Sequence, residues 1–144
     1  MLSRIAESLF WIGRYVERAD GTARILDVNL ERLNQLQPDE QRLVSRQLLG
    51  IMGSRPDSDD FGLGDLLNKL AHDRVSPTSI AGALGAAREN ARRARETVSS
   101  TLWEGLNTTW YGLSQHRKDV VGTYRFCHWV LERTAMIKGL ADTT

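Results

Sequence analysis

The chain has 144 residues, of which 41% are hydrophobic, with 19 basic and 18 acidic side chains. This length suits one globular domain with its own core, so we predict a single domain over residues 1–144. A net charge near zero creates no overall field that would attract nucleic acid or an anionic membrane. The single cysteine, Cys127, cannot form an intramolecular disulfide, and no apolar run suits a membrane span or a signal peptide. We therefore expect a cytoplasmic protein.

One long helix is predicted from Met1 to about Leu36, ending before Pro38 because the residue before a proline disfavours helical geometry. Its apolar residues recur at steps of three and four, which is the spacing of one buried helical stripe. That stripe consists of Ile5, Leu9, Ile12, Val16, Ala19, Ala23, Leu26, Leu30 and Leu33.

A second face of the same helix lies about a third of a turn away, at roughly 100° per residue. It carries Arg4, Glu7, Trp11, Arg14 and Arg18, where a plain solvent-facing helix would rarely place a tryptophan. An indole beside guanidinium groups suits a carboxylate, a phosphate or an anionic partner side chain. The alternative is a solvated flank held by ion pairs of the type that Asp20 and Arg24 would form.

The rest of the chain is also predicted to be helical. Helical periodicity continues over residues 39–52, 61–73, 79–113 and 117–140. Residues 53–60 are polar and rich in helix breakers, so we predict an exposed loop there, and the hydroxyl residues 99–101 are expected to bend or interrupt the fourth helix. The predicted fold is therefore all-α, an antiparallel bundle of four to five helices.

An arginine-rich segment, residues 86–96, invites a nucleic-acid interpretation. Within it, Glu89 with Arg93, and Arg92 with Glu96, have the spacing of intrahelical ion pairs, which would neutralise much of the charge. Small residues in the same region instead favour close packing of a neighbouring helix. Nucleic-acid binding through Arg88 to Arg95 therefore stays the weaker alternative, and no nucleic acid is expected as a partner.

A third segment places a carboxylate among aromatic residues. Glu104, Asn107 and Thr108 share a helical face that is flanked by Trp103 and Trp110. A carboxylate near aromatic surface can act as a general acid or base. The alternative is a core aromatic cluster in which Glu104 pairs with an arginine of another helix.

Metal and cofactor signatures are missing from the sequence. His72, His116 and His128 are far apart, and none stands three residues after a glutamate, as the ligand pairs of di-iron bundles would require. The sequence has no glycine-rich phosphate loop, zinc-finger spacing or nucleophile elbow. We therefore expect neither a metal nor a cofactor.

Residues 1–28, MLSRIAESLFWIGRYVERADGTARILDV, and residues 76–107, SPTSIAGALGAARENARRARETVSSTLWEGLN, together resemble the bacterial alpha-E domain family. The resemblance implies an all-helical domain whose genes travel with those of circularly permuted ATP-grasp proteins and transglutaminase-like peptidases. It therefore implies a role in a peptide- or amide-bond-forming system, with an ATP-grasp-type ligase or a transglutaminase-like protein as the expected partner. Two departures stand out: Asp20-Gly21 replaces the family's usual Glu-Asn, and the chain stops where family members continue, so it resembles the N-terminal portion of the usual domain.

The resemblance also implies a set of site residues. The matching positions are Glu7, Trp11, Arg14, Glu17, Arg18, Arg24, Ser79, Arg88, Asn90, Arg92, Arg95, Trp103, Glu104 and Asn107.

Two functional hypotheses use these residues. The first is an accessory module that binds an ATP-grasp-type ligase or its peptide product through Trp11, Arg14 and Arg18. The second is an enzyme in which Glu17 or Glu104 is the acid or base and an arginine binds the substrate anion. An enzyme requires the glutamate and arginines of another helix to converge in one concave pocket, whereas a binding module requires an open face. A shortened domain would also expose apolar surface that another copy could cover, forming a homo-oligomer.

Overall fold

The computed structural model describes residues 2–142, with the side chain of Leu2 excluded. This part of the chain contains six α-helices, one π-helical turn and no strand, which confirms the predicted all-α class, although the count is six rather than four to five. The helices are α1 (Leu2–Gln35), α2 (Pro38–Ile51), α3 (Leu63–Leu67), α4 (Ile80–Arg93), α5 (Ser100–Gly112) and α6 (Val120–Asp142), and the π-helical turn, Asn68–His72, continues α3. The predicted start of the first helix at Met1 lies outside the described residues.

The extra helix arises because the predicted helix over residues 79–113 is divided in two. α4 ends at Arg93, and the side chain of Ser99 then accepts a hydrogen bond from the backbone nitrogen of Leu102 at 3.2 Å. This serine caps α5 by satisfying a nitrogen that would otherwise have no helical partner. Of the two predicted outcomes, a bend or an interruption, the structure shows an interruption, with α5 starting at the hydroxyl residues.

The first helix forms the centre of the bundle and packs mainly against α4 and α6. Its predicted apolar stripe is buried from Ile12 to Leu33, while Ile5 and Leu9 are half-buried. Full burial of one leucine stabilises the fold by roughly 1.5–3 kcal/mol. The stripe therefore explains why a 34-residue helix runs through the core.

Threonine side chains of α6 hydrogen-bond two buried titratable groups. Thr134 Oγ1 donates to Asp20 Oδ1 at 2.7 Å, and the other carboxylate oxygen of Asp20 accepts from Arg24 Nε at 2.9 Å, with Lys138 Nζ at 3.4 Å. Burial alone would raise the pKa of Asp20, but the hydrogen bonds from Thr134 and Arg24 and the charge of Lys138 hold it below its usual value. Asp20 thus joins α1 to α6.

The second such group is His72, at the end of the π-helical turn. Its Nε2 lies 2.8 Å from Thr123 Oγ1, and its ring packs 5.0 Å from the Phe126 ring. Burial, with smaller contributions from the charges of Lys118 and His116, lowers the pKa of His72 to about 4. The imidazole is therefore neutral at pH 7.

Cys127 is also buried on α6. Burial, followed by the negative charge of Asp27, raises the pKa of its thiol to about 12. The thiolate, which is the reactive form, is therefore scarce at neutral pH.

The polar segment at residues 53–60 runs over the surface between α2 and α3. Gly53 has a φ of +81°, a backbone conformation that glycine adopts without strain. Lys69 Nζ reaches Asp57 Oδ1 at 2.7 Å, and Arg46 donates to the carbonyl oxygen of Ser58 at 3.1 Å. The segment is therefore tied to α2 through Arg46 and to the π-helical turn through Lys69.

Candidate functional site

The outer face of α1 carries an aromatic strip, which we define as Phe10, Trp11 and Tyr15. Trp11 remains 42% exposed, and its ring centroid lies 5.4 Å from that of Phe10 and 6.0 Å from that of Tyr15. Arg14 is exposed beside it. Phe10 and Trp11 are therefore open to solvent, as a recognition surface requires, whereas Tyr15 is half-buried against the core.

An open groove of about 980 Å³ lies between the start of α1 and the end of α4. We call it the arginine groove, and it is lined by Arg4, Ile5, Glu7, Ser8, Asn90, Arg92, Arg93, Ala94, Arg95, Glu96 and Thr97. Its volume is near the upper end of the usual range for ligand pockets. Further along α1, Arg18 Nη1 donates to the Pro77 carbonyl oxygen at 3.4 Å, just before the start of α4. The start of α1 therefore lies beside the end of α4, and a later part of α1 beside its start, so the two helices run antiparallel.

Only some of the groove's arginines are neutralised. Glu89 lies 2.6 Å from Arg92 Nη2 and 3.5 Å from Arg93 Nε, and the hydrogen bond from Arg92 holds the pKa of Glu89 below its usual value. In residues 2–142, neither Arg4 nor Arg95 has a carboxylate within 4.0 Å. These two guanidinium groups are therefore available to form an ion pair with a ligand.

The predicted ion pair between Arg92 and Glu96 does not form. α4 ends at Arg93, so Glu96 is no longer one helical turn from Arg92, and Arg92 pairs with Glu89 instead. The other predicted pair, Glu89 with Arg93, is present at 3.5 Å.

Arginine and tryptophan side chains alternate where α4 packs against α5. Arg88 Cζ lies 5.5 Å from the ring centroids of both Trp103 and Trp110, Arg95 Cζ lies 5.0 Å from that of Trp103, and Arg74 Cζ lies 4.0 Å from that of Trp110. We call this series, Arg74, Trp110, Arg88, Trp103 and Arg95, the arginine–tryptophan ladder. Guanidinium groups over indole rings interact favourably through the quadrupole of the ring.

Two further contacts fix the ladder. Arg88 Nε donates a hydrogen bond to Asn107 Oδ1 at 2.9 Å. Gly85 leaves room for the Trp110 ring, because a Cβ at that position would lie 2.6 Å from Trp110 Cζ3. The small residues of α4 therefore allow close packing, as the sequence predicts, and the side chain that uses the space is an indole of the ladder.

The two candidate acids form no ion pair with these arginines in residues 2–142. Glu17 and Glu104 are exposed, and neither has an ion pair or a side-chain hydrogen bond in the part of the chain that the structure describes. Neither glutamate is among the residues that line the arginine groove. The groove therefore does not bring either candidate acid together with its arginines.

The other predicted site residues divide between binding surfaces and structural roles. The groove is lined by Glu7, Asn90, Arg92 and Arg95. The ladder is formed or fixed by Arg88, Arg95, Trp103 and Asn107. The outer face of α1 carries Trp11, Arg14 and Arg18. Arg24 instead pairs with Asp20, and the side chain of Ser79 caps α4 by accepting from Gly82 nitrogen at 2.9 Å.

A family model described as a predicted alpha-helical domain with a conserved ER motif matches residues 1–144. This chain belongs to the Alpha-E family. No curated protein and no solved structure gives a significant match to the chain.

Three Glu-Arg pairs occur in this Alpha-E chain, at residues 17–18, 31–32 and 132–133. The third joins two helices: Arg133 Nε donates to Thr109 Oγ1 at 2.8 Å, and its Nη2 donates to the Gly105 carbonyl oxygen at 3.3 Å. Arg133 thus ties α6 to α5, a role that the sequence analysis did not predict.

Arg74 and Trp110 complete the ladder of the Alpha-E domain, but neither was a predicted site residue. A signal for Trp110 exists, because it stands seven residues after Trp103. Seven residues are about two helical turns, so the two indoles lie on one face of α5. Arg74 precedes α4 in a turn, where no periodicity marks it.

The described residues of this Alpha-E domain contain neither a metal-binding cluster nor a membrane-spanning helix. Over residues 2–142, no three histidine, cysteine or carboxylate side chains are grouped closely enough to hold a metal ion. Each helix in that range is too short or too polar to cross a lipid bilayer.

Proposed function

We propose that this Alpha-E protein is an accessory binding module that holds a carboxylate-bearing peptide segment in the arginine groove. The observation that carries the proposal is the groove itself, where Arg4 and Arg95 face an open cleft without a carboxylate partner among the described residues. The ligand is either an acidic segment of a peptide- or amide-bond-forming enzyme or that enzyme's peptide product. An ATP-grasp-type ligase or a transglutaminase-like protein in the bacterial cytoplasm is the partner that the family resemblance supports.

The chemistry of the groove favours carboxylates. A guanidinium group presents a planar fork of N–H donors that matches the two oxygens of a carboxylate, and such charge-assisted bonds are stronger than neutral ones. Glu89 engages Arg92 and Arg93, so Arg4 and Arg95 supply the free donors. Because the groove is open along its length, it suits a segment of chain better than an enclosed small molecule.

The aromatic strip extends the same surface. Trp11 follows Glu7 by one helical turn, and Glu7 lines the groove. Exposed tryptophan is enriched at binding hot spots because its ring covers a large area with little loss of conformational freedom. Trp11, with Arg14 and Arg18 further along α1, therefore gives the bound segment or its parent protein a second contact.

A peptide-binding assay tests the proposal. Fluorescence anisotropy would compare a labelled tri-glutamate peptide with its tri-glutamine counterpart, using wild type and Arg95→Gln. Loss of one charge-assisted contact weakens binding by about tenfold, so we expect that loss for Arg95→Gln with the glutamate peptide only. Arg125→Gln is the matched control, since Arg125 is equally charged and exposed but lies on α6 away from the groove. Equal affinity for both peptides would overturn the proposal.

The partner protein is tested separately by co-purification with the ATP-grasp-type ligase. Capture by wild type is expected to fall several-fold in the double variant Trp11→Ala with Arg14→Ala, whose side chains are exposed and leave the core intact. Undiminished capture by the double variant would show that the aromatic strip is not part of the interface.

A further inference from the structure

The arginine groove does not end at the end of α4. Arg95 lines the groove and also lies over the Trp103 ring, so it belongs to both the groove and the ladder. From Arg95 the ladder continues through Arg88 to Arg74. A line of three guanidinium groups therefore leads out of the groove along α4 and α5.

These guanidinium groups are held in place before any ligand arrives. Each lies 4.0–5.5 Å from an indole centroid, and Arg88 is fixed further by Asn107. Stacking and hydrogen bonding restrict long side chains that otherwise sample many rotamers. An anion that binds here consequently loses less free energy to ordering of the protein.

The same groups have no carboxylate within ion-pairing distance. Over residues 2–142, no carboxylate oxygen lies within 4.0 Å of the guanidinium nitrogens of Arg74, Arg88 or Arg95. Glu89 follows Arg88 directly in sequence, but its carboxylate is engaged by Arg92 and Arg93. The three guanidinium groups of the ladder are therefore without an ion-pair partner among the described residues, although the charge of Arg88 contributes to lowering the pKa of Glu89.

We propose that the ladder is the continuation of the ligand site, where it binds further acidic side chains of the peptide segment that the groove holds. This inference rests on the proposed function. Trp103 and Trp110, over which these guanidinium groups lie, are two helical turns apart on α5, an axial distance of about 10 Å, which an extended chain covers in about three residues. A peptide that reaches from the groove to Arg74 must therefore be longer than a tripeptide.

The contacts favour an acidic peptide over a single-stranded nucleic acid. Sequence-tolerant binding of single strands depends on free aromatic faces on which bases stack. In the ladder, guanidinium groups already lie over the indoles of Trp103 and Trp110. What remains for a ligand is N–H donors, which match the carboxylates of glutamate and aspartate side chains.

The test measures how the affinity for acidic peptides depends on peptide length and on each arginine of the ladder. Labelled oligo-glutamate peptides of three and nine residues would be titrated against wild type, Arg88→Gln, Arg74→Gln and the control Arg125→Gln. We expect wild type to bind the nine-residue peptide at least tenfold more tightly than the three-residue peptide. Each ladder variant should lose about tenfold for the longer peptide, with no change for the shorter one, while Arg125→Gln leaves both unchanged.

Other outcomes separate the two proposals. If Arg95→Gln weakens binding of both peptides but Arg88→Gln and Arg74→Gln change neither, the ladder is structural and the groove alone binds. If neither peptide binds better than its glutamine counterpart, the proposed function fails as well. Tighter binding of a nine-residue oligouridylate than of the nine-residue peptide would overturn the choice of ligand. Circular dichroism checks the fold of each variant. If Arg88→Gln unfolds, Arg74→Gln still tests the proposal, because Arg74 is exposed and lies outside every helix.

Discussion

The inner face of α6 and the arginine–tryptophan ladder differ in whether their charged and titratable groups have hydrogen-bond partners inside the protein. On α6, Thr134 and Thr123 provide hydroxyl partners for buried Asp20 and buried His72. In the ladder, three guanidinium groups lie over indoles, with Asn107 as the one polar side-chain partner seen in residues 2–142. The first arrangement satisfies each group inside the protein, whereas the second leaves donors and charge directed at solvent.

The difference separates stabilisation from recognition. A buried carboxylate with its hydrogen bonds complete holds two helices together, and removing a partner is costly because the remaining group cannot return to water. The indoles of the ladder are half-buried and pack against the core, but Arg74 and Arg95 are exposed, and a cation over a ring contributes about 0.5–1 kcal/mol at an exposed site. The exposed arginines of the ladder therefore add little stability and leave their donors for an anion, which is why substitutions in the two regions should have different consequences.

The largest expected effect is on the α6 side and depends on pH. His72 is neutral when folded with a pKa of about 4, whereas the unfolded chain binds its proton near pH 6.5. Between these values the unfolded state holds more protons, so stability is complete above pH 6.5 and falls as pH drops towards 4, by at most about 3 kcal/mol. Urea unfolding at pH 7 and pH 4.5 measures the change. His72→Gln removes the titration, and an equal fall in that variant would assign the pH dependence to other groups.

Asp20→Ala should come next, with a loss of about 2 kcal/mol, because Thr134 and Lys138 lose their shared acceptor at the α1–α6 contact. Glu17→Ala is the matched control on the same helix, since Glu17 is exposed, and we expect its unfolding free energy to change by less than about 0.5 kcal/mol. Urea unfolding curves measure both variants. Similar losses in the two would show that Asp20 is no more than a surface charge.

A smaller effect is expected from Gly85→Ala, which leaves every charge of the ladder in place. The added Cβ would lie 2.6 Å from the Trp110 ring, so the indole must shift away from Arg74 and Arg88. We expect a stability loss of about 1 kcal/mol and weaker binding of the nine-residue peptide in the anisotropy assay. Unchanged binding would mean that the positions of the guanidinium groups do not matter.

Gly13→Ala should have the smallest effect, and of opposite sign. Gly13 is also a helical glycine, but a Cβ there meets nothing within 4 Å. Replacing it should stabilise α1 by about 0.5–1 kcal/mol, because glycine loses more backbone entropy in a helix than alanine. Thermal melting of both glycine variants sharpens the comparison, and destabilisation by Gly13→Ala would show that α1 needs this glycine for another reason.

Local periodicity accounts for the parts of the fold that were predicted. The apolar stripe of α1 spans many turns, so the burial of Leu26, Leu30 and Leu33 could be derived from spacing alone. The interruption of the helix over residues 79–113 could also be predicted, from the hydroxyl residues 99–101, and Ser99 caps α5 there. The end of α4 at Arg93 could not be predicted, because Ala94, Arg95 and Glu96 are good helix formers.

The sequence named part of the ladder but neither Arg74 nor Trp110, and it did not give the arrangement. Arg88, Arg95, Trp103 and Asn107 are all positions that the family resemblance implies. These residues come together only because α4 packs antiparallel against α5. That packing is tertiary structure, which spacing in the sequence does not reveal. The groove likewise joins the ends of two helices that are distant in sequence, so its lining residues carry no common local signal.

The buried thiol of Cys127 has a practical consequence for following the ligand. Because its pKa is about 12 and the side chain is inside the bundle, maleimide dyes react with it slowly at neutral pH. A cysteine introduced at the exposed rim of the groove, for example Thr97→Cys, would be labelled selectively in an otherwise unmodified chain. One reporter dye at that rim would then signal when a peptide enters.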